Sequence, residues 1–299
     1  MLALETAHPH GRDKSIAFDE ASHTYTITRD GVAEVAPCSV SGFAKRYFSE
    51  FDPDAVVAKY YQKWAADPNS KYHALIHSVL GAGGAEEEAR AAIKAGWKEK
   101  GRQASEKGTK MHEHCELEMN GVPPVLECAE MWLFRKWRAE FQPHMQWKPV
   151  RTEWRLWYED ERCGGRVLVA GTLDLLMHSS VTDEYSLWDY KRVDPAPKYR
   201  GGRPHLLGPH AGAKFHPGYA AEPLEEVEDS DYGKYTLQLN IYAKMLRDRY
   251  GIDVKHHMYL VQLHEAMDTF HVVRVDQHSS DTDALFSAEA ARANWEIEH

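Results

Sequence analysis

Two kinds of apolar pattern follow one another along the chain. Between 39 and 48, and again between 126 and 141, apolar residues recur every three or four positions, which is typical of amphipathic helices. Pro143 is expected to end the second of these helices. From about residue 150 the pattern changes to the alternating apolar and polar positions of strands. The predicted strands are 151–158, 167–177, 185–193, 255–263 and 269–275, with a helix at 235–250 that ends at Gly251 and a short final helix.

The N-terminal part combines a predicted hairpin with helices. Ala17–Val35 alternates apolar residues with threonines, and Asp30-Gly31 supplies a tight turn. The stretch Gly81–Gly84 is predicted to be a linker between helices. Further helices are predicted from Ser39, from Asp52-Pro53 (aspartate cap, then proline in the first turn), over 85–98 and over 108–119.

The order of these elements indicates an α/β or α+β fold with a central mixed sheet flanked by helices. Two regions are expected, an N-terminal hairpin and helical region over 1–96, packed on a core over 97–299. Residues 194–231 are rich in Gly, Pro, His and charge, and the segment is long for a plain connection. We expect it to be a lid, a loop that contacts substrate, or a disordered segment.

Composition narrows the class of protein. The net charge of −10 argues against a protein that coats nucleic acid, but it is compatible with a metal site built from carboxylates. No apolar run reaches the length of a membrane span, and the start of the chain does not read as a signal peptide. We therefore expect a soluble intracellular protein without a membrane partner, in a compartment left open. The four scattered cysteines are expected to be reduced thiols.

The strongest candidate chemistry lies on two predicted strands. Side chains alternate across a strand, so Asp189 and Lys191 share one face while Trp188 and Tyr190 point away. Asp174 lies in an apolar strand, where a carboxylate is costly unless it is paired or bound to metal. Two carboxylates and a lysine suit the task of holding a divalent ion against a phosphate. Alone, the Asp-x-Lys pattern is common and favours a solvated pair on an edge strand.

Further short motifs accompany this pattern. In chain order they are Gly108-Thr109-Lys110-Met111-His112, Glu153, Gly171-Thr172-Leu173-Asp174, Asp189-Tyr190-Lys191 and Gln238-Leu239-Asn240-Ile241-Tyr242. With these motifs in this order, the chain resembles the RecB-like branch of the PD-(D/E)XK nucleases, relatives of lambda exonuclease. The resemblance covers about 97–263. It implies a restriction-endonuclease-like core to which the N-terminal hairpin and helices are added.

The resemblance also implies a role for each motif residue. The implied metal ligands are His112, Asp174, Asp189 and the backbone carbonyl of Tyr190. Glu153 would be a supporting carboxylate that reaches the metal directly or through water. Lys191 would orient or deprotonate the attacking water, or stabilise the transition state. Gln238 and Tyr242 lie four residues apart on one helix face. They would contact the substrate backbone or order the lysine, unless they merely flank the packed face.

The implied cofactor is Mg²⁺ or Mn²⁺. Because imidazole suits transition metals better than Mg²⁺, we expect Mn²⁺ to support activity at least as well as Mg²⁺. Some members of this branch hold an iron–sulfur cluster through cysteines near the C-terminus. This chain has no cysteine after Cys163, so no such cluster is expected. It also has no GxxxxGK[ST] motif, so no ATP is expected.

The resemblance therefore implies a metal-dependent DNA nuclease. An exonuclease in recombination, repair or replication is favoured. A structure-specific endonuclease and a catalytically silent DNA-binding scaffold are the alternatives. DNA ends or single strands are the expected partners, with a single-strand annealing or recombination protein as a further candidate and the oligomeric state open. A cationic strip for DNA phosphates, or a solvated charged loop, is expected at Arg192, Lys198, Arg200 and Arg203.

Overall fold

The computed structural model describes residues 2–123, 128–193 and 218–298, except for the side chains of 141–145 and 296–298. The chain separates into two compact units. One contains residues up to 49 together with those from 111 onward, and the other contains 50–110. Neither boundary coincides with the expected division near residue 96, because a single long helix crosses that position.

The first unit begins with a short helix, α1 (Ala3–Ala7), and a small antiparallel sheet. The sheet has three strands, β1 (Ile16–Asp19), β2 (Thr24–Arg29) and β3 (Val32–Val35). The sequence predicted one hairpin here, and the structure corrects this to a three-stranded meander. The first turn closes because Ser22 donates to the Asp19 carboxylate through both its backbone N–H and its hydroxyl. The second turn is the predicted Asp30-Gly31, both residues of which have positive φ.

A five-stranded mixed sheet forms the centre of this unit. Its strands, in spatial as well as chain order, are β4 (Trp147–Asp160), β5 (Arg166–Ser179), β6 (Glu184–Lys191), β7 (Met258–Gln262) and β8 (His271–Arg274). Only β6 and β7 pair in parallel. A parallel pair needs a long crossover, and the helix α7 (Asp231–Tyr250) lies in that connection. The predicted α/β class, with a mixed sheet flanked by helices, is confirmed.

Two apolar clusters hold helices against this sheet. One joins its strands to α7, to α2 (Val40–Lys45) and to the final helix α8 (Ser279–Glu298). The other joins its strands to α6 (Ala129–Met145) and to residues 111–119 of α5 (Glu86–Met119). Trp188 and Tyr190 belong to this second cluster, so they point away from α7 as the strand alternation predicted.

The second unit contains α3 (Pro53–Ala66), α4 (His73–Gly81) and the part of α5 up to Lys110. The Asp52 carboxylate caps α3 by accepting from two backbone N–H groups, as the sequence predicted. The buried core of this unit consists of Val57, Tyr61, Ile76, Ala89 and Ile93.

Three predictions about helices are corrected, and one helix was missed. The separate helices expected over 85–98 and 108–119 are one continuous helix, α5. The helix α4 was not predicted. The helix α6 does not end at Pro143 but continues to Met145, and the left-handed backbone of Gln146 follows. The final helix is not short but spans 20 residues.

Among the helices within the described ranges, none combines the length and the apolar character that crossing a bilayer requires.

Candidate active site

Three neighbouring strands bring the predicted carboxylates together. Leu175 of β5 pairs with Trp188 of β6, so the next step along the two antiparallel strands places Asp174 beside Asp189. On its other edge, β5 pairs with β4, and the register places Glu153 opposite Asp174. Residues 15 and 21 positions apart in sequence thus form a row across the sheet.

The backbone of Glu153 is strained. Its φ angle is 41°, in the left-handed region that side chains with a Cβ rarely adopt. The residue lies inside β4, a 14-residue strand, where extended backbone is the rule. Backbone strain of this kind persists only where the surrounding structure enforces it, and it is concentrated at functional sites.

His112 completes a compact group of ligand atoms with these carboxylates. Its Nδ1 atom lies 3.3 Å from Asp174 Oδ2 and 3.5 Å from Glu153 Oε1. One ligand atom from each of the three residues lies within 4.8 Å of the others. The Asp174 side chain is buried, and its Oδ2 also accepts a 2.7 Å hydrogen bond from the backbone N–H of Tyr190, which fixes the carboxylate.

The pKa values of this group show an excess of negative charge. Burial raises the pKa of Glu153, and burial together with the charge of Asp174 raises the pKa of Asp189 to about 7. Burial disfavours a charged His112, but the charges and hydrogen bonds of Asp174 and Glu153 together outweigh burial and hold the His112 pKa well above 6.5. Burial also disfavours ionised Asp174, and the His112 charge in turn lowers the pKa of Asp174. The carboxylates outnumber the cations available to neutralise them.

Lys191 forms a second group with Asp189 and Gln238. Its Nζ atom lies 2.7 Å from Asp189 Oδ2 and donates to Gln238 Oε1 at 3.2 Å. The Gln238 amide donates in turn to Asp189 Oδ1 at 3.3 Å. Burial acts to lower the pKa of Lys191, but the charges of Asp189 and Asp174 with the other nearby groups together outweigh burial and raise that pKa, so the ammonium is protonated at neutral pH.

Tyr242, the other predicted residue of α7, lies against the strand rather than beside the lysine. Its hydroxyl donates to the backbone carbonyl of Thr172 at 2.6 Å. A Cβ added at Gly171 would lie 2.7 Å from the Tyr242 hydroxyl and 2.7 Å from Val40 Cγ2. The motif glycine Gly171 is therefore required by close packing, whereas a Cβ at Gly108 would meet nothing within 4 Å.

The remaining predicted residues are only partly described. Arg192 pairs with Glu130 at 2.7 Å and with Glu265 at 3.0 Å, and its side chain is 8% exposed. In this arrangement the guanidinium is directed at carboxylates rather than at solvent. Its contact with DNA, like the metal contact of the Tyr190 carbonyl, stays a prediction. Lys198, Arg200 and Arg203, with most of the expected loop, lie outside the described residues.

Two residues near the site were not singled out from the sequence. Glu116 lies one helical turn after His112, and burial together with the charge of Glu153 raises its pKa to about 7. Tyr235 lies three residues before Gln238, and its ring centroid is 4.5 Å from Lys191 Nζ. In both cases the helical spacing of three or four residues from a motif residue was the available signal.

The residues present fit a divalent cation. Nitrogen and carboxylate oxygen atoms converge, and the burial that raises the pKa values of Glu153 and Asp189 makes their ionised forms costly unless a cation is bound. A set containing imidazole suits Mn²⁺ and other transition metals, and carboxylates suit both Mg²⁺ and Mn²⁺. His112, Glu153 and Asp174 are the residues that could hold such an ion.

Comparisons with known proteins show no family for this chain. No protein-family model matches it, and no curated protein sequence matches it. One similar solved structure, titled "Crystal structure of SSO0001", shares 11% identity with a TM-score of 0.27. That match covers 55% of this chain and 57% of the other, so the chain spans little more than half the length of this relative.

Proposed function

We propose that this protein is a divalent-metal-dependent DNA nuclease of the PD-(D/E)XK type, with an exonuclease as the favoured form. The observation that carries the proposal is the convergence of His112, Glu153 and Asp174 next to the Asp189 and Lys191 pair. Three ligands for a cation, from α5, β4 and β5, beside a protonated lysine on β6 suit phosphodiester hydrolysis. The preference for DNA ends rests on the resemblance to lambda exonuclease, as does a place in recombination, repair or replication.

The proposed roles divide the site into two parts. His112, Glu153 and Asp174 hold the cation, with Asp189 and the Tyr190 carbonyl as further ligands. A divalent cation there would neutralise charge on the phosphoryl oxygens and lower the pKa of the attacking water. The Tyr190 N–H keeps the Asp174 carboxylate turned toward His112.

Lys191 acts through its positive charge in this proposal. Its raised pKa makes it a hydrogen-bond donor rather than a base at neutral pH, so it orients the attacking water or stabilises the charge that develops on the phosphate. Gln238 holds the ammonium through its carbonyl oxygen and Asp189 through its amide nitrogen. Gln238 is therefore a positioning residue.

Cleavage of labelled DNA tests the proposal. The substrates are end-labelled linear duplex DNA, the same DNA single-stranded, and a closed circle, each with Mg²⁺, Mn²⁺ or EDTA. We expect metal-dependent loss of linear DNA with the circle spared. Lys191→Ala should abolish cleavage, whereas Lys148→Ala, at an exposed position of β4, should leave the rate unchanged.

Three other outcomes of the cleavage experiment would each change the proposal. Cutting of the circle by wild-type protein, but not by Lys191→Ala protein, would replace the exonuclease with an endonuclease at the same site. Equal cleavage by wild-type and Lys191→Ala proteins would reject this site. Absence of cleavage together with DNA binding would favour the catalytically silent scaffold.

A further inference from the structure

The unit formed by residues 50–110 carries a network of aromatic rings on one side of its small core. Trp64 is in ring contact with Tyr60, Tyr72 and Trp97, at centroid distances of 5.8, 4.5 and 6.1 Å. Phe51 meets Trp97 at 5.5 Å. The Trp97 indole N–H donates to the Tyr72 hydroxyl at 2.6 Å, which fixes the two rings relative to each other.

Part of this network faces solvent. Phe51 is 66% exposed and Tyr60 is 37% exposed, whereas Trp64, Tyr72 and Trp97 are partly buried behind them. Packing of the small core does not account for the two exposed rings, because neither belongs to that core. Large aromatic rings exposed on a rigid support are typical of a binding surface.

Lysines without carboxylate partners surround the network. Lys59 Nζ lies 5.2 Å from the centroid of the Tyr60 ring, and Lys71 Nζ lies 4.7 Å from that of Tyr72. Lys63 is exposed one helical turn after Lys59. Within the described part of the chain, no salt bridge joins any of the three to an acidic residue. Their charge is therefore available to an anionic partner.

The charge of the whole unit differs from that of the rest of the chain. Residues 50–110 contain ten Lys and Arg against nine Asp and Glu, whereas the remaining residues contain 26 against 37. The negative charge of the protein thus lies outside this unit. A polyanion therefore meets less repulsion at this unit than the net charge of the whole chain suggests.

We propose that the aromatic network with Lys59, Lys63 and Lys71 is a binding surface for single-stranded DNA. Unpaired bases would stack on Tyr60 and Phe51, and the lysines would contact the phosphates. Exposed rings interleaved with uncompensated cations suit this ligand, because every base has a face that stacks without regard to sequence. In duplex DNA these faces are covered by the neighbouring stacked bases. The inference rests on the proposed nuclease function, for which it names single-stranded DNA as the bound form.

Binding by the full-length protein in EDTA tests this surface without cleavage. The probes are a labelled oligothymidine, an abasic oligonucleotide and a duplex of the same length, and binding is followed by fluorescence anisotropy. Tyr60→Ala and Phe51→Ala should each weaken oligothymidine binding about tenfold and leave abasic binding unchanged. Tyr60→Phe, which keeps the ring, should bind as the wild type does. Leu80→Ala, at another exposed apolar position of the same unit, is the matched control.

The lysines give an independent readout. Lys59→Ala should weaken the binding of both oligonucleotides and reduce the dependence of the affinity on salt concentration. The proposal is overturned if Tyr60→Ala and Phe51→Ala leave oligothymidine binding unchanged, if they weaken abasic binding equally, or if duplex DNA loses as much affinity. Because no metal is present, these outcomes are separate from a failure of the cleavage experiment.

Discussion

Glu153 lies opposite Asp174 across the antiparallel pair β4 and β5, and His112 Nδ1 lies within 3.5 Å of a carboxylate oxygen of each. The half-buried Glu153 carboxylate and the buried Asp174 carboxylate share one imidazole, so a further positive charge would be favourable there. The left-handed backbone of Glu153 adds a second cost at the same position. The site therefore combines charge repulsion and strain, which a bound divalent cation would offset.

The strain at Glu153 predicts an unusual order of stabilities. At a φ of 41°, a residue with a Cβ costs about 1–2 kcal/mol that glycine does not. We expect Glu153→Gly to have a higher free energy of unfolding than Glu153→Ala by about 1 kcal/mol. Denaturant unfolding of the metal-free proteins measures the difference. At the neighbouring residue Thr152, whose φ is not positive, Ala should be the more stable of the two. The same order at both positions would contradict the account of strain.

The packing of Gly171 predicts a loss of stability that a second substitution relieves. An added methyl group would lie 2.7 Å from the Tyr242 hydroxyl, so Gly171→Ala should destabilise the protein by about 1–3 kcal/mol. Tyr242→Phe removes that oxygen and should recover part of the loss in the double variant, which thermal unfolding can measure. Gly108→Ala serves as the control. It lies in α5 with open space around its Cβ, and it should be neutral or stabilising by up to about 1 kcal/mol. Strict additivity of the Gly171 and Tyr242 substitutions would contradict the proposed clash.

The raised pKa values predict that metal affinity increases with pH. A cation must displace the proton of His112, whose pKa lies well above 6.5, and the proton of Asp189, whose pKa is about 7. In the metal-free protein, the raised Asp189 pKa makes stability fall as pH rises toward 7, because in that range the unfolded state has already released a proton that the folded state still holds. The increase in melting temperature on adding Mn²⁺ should therefore be larger at pH 8 than at pH 6. Equal increases at both values would contradict this competition.

Gln238 should affect turnover more than metal binding. It holds Lys191 and Asp189 in place, but it is not among the residues grouped around His112. We expect Gln238→Leu to lower kcat by about 10–100-fold. This decrease should be smaller than the one caused by Lys191→Ala, which removes the charge itself. The Mn²⁺-induced shift in melting temperature should stay as in the wild type. The matched control is Gln103→Leu, on the exposed surface of α5. Gln262 would not serve, because it is buried and donates to the Val193 carbonyl. Loss of the Mn²⁺ shift in Gln238→Leu would place this residue among the metal ligands instead.

Much of the sheet was predictable from the sequence because its signals are local. The alternation in β6 put Asp189 and Lys191 on one face, and the structure places their charged atoms 2.7 Å apart. The Asp52 cap of α3 and the left-handed Gly251 at the end of α7 were also predicted, because each depends on residues close together in sequence. The helix α5, in contrast, was predicted as two separate helical stretches. The pairs of Arg102 with Glu99 and Glu106, on neighbouring turns, instead favour one continuous helix.

Other features depend on contacts between distant parts of the chain. The left-handed Glu153 has no counterpart in the sequence, because glutamate does not favour that backbone conformation. The raised pKa of Glu116 depends on Glu153, which belongs to another element 37 residues away. Neither could be inferred without the register of β4 on β5.

The initial rate of DNA cleavage in Mn²⁺ by Asp174→Asn protein tests the central claim most directly. The substitution keeps the shape of the side chain and removes the negative charge that His112 and the cation share. A matched control is Asp183→Asn, at a side chain that is 95% exposed in the turn between β5 and β6. The account predicts a loss of at least about 10³-fold for Asp174→Asn and a rate within about twofold of wild type for Asp183→Asn. Wild-type rates in both variants would contradict the account, because the cleavage would then not depend on this cluster.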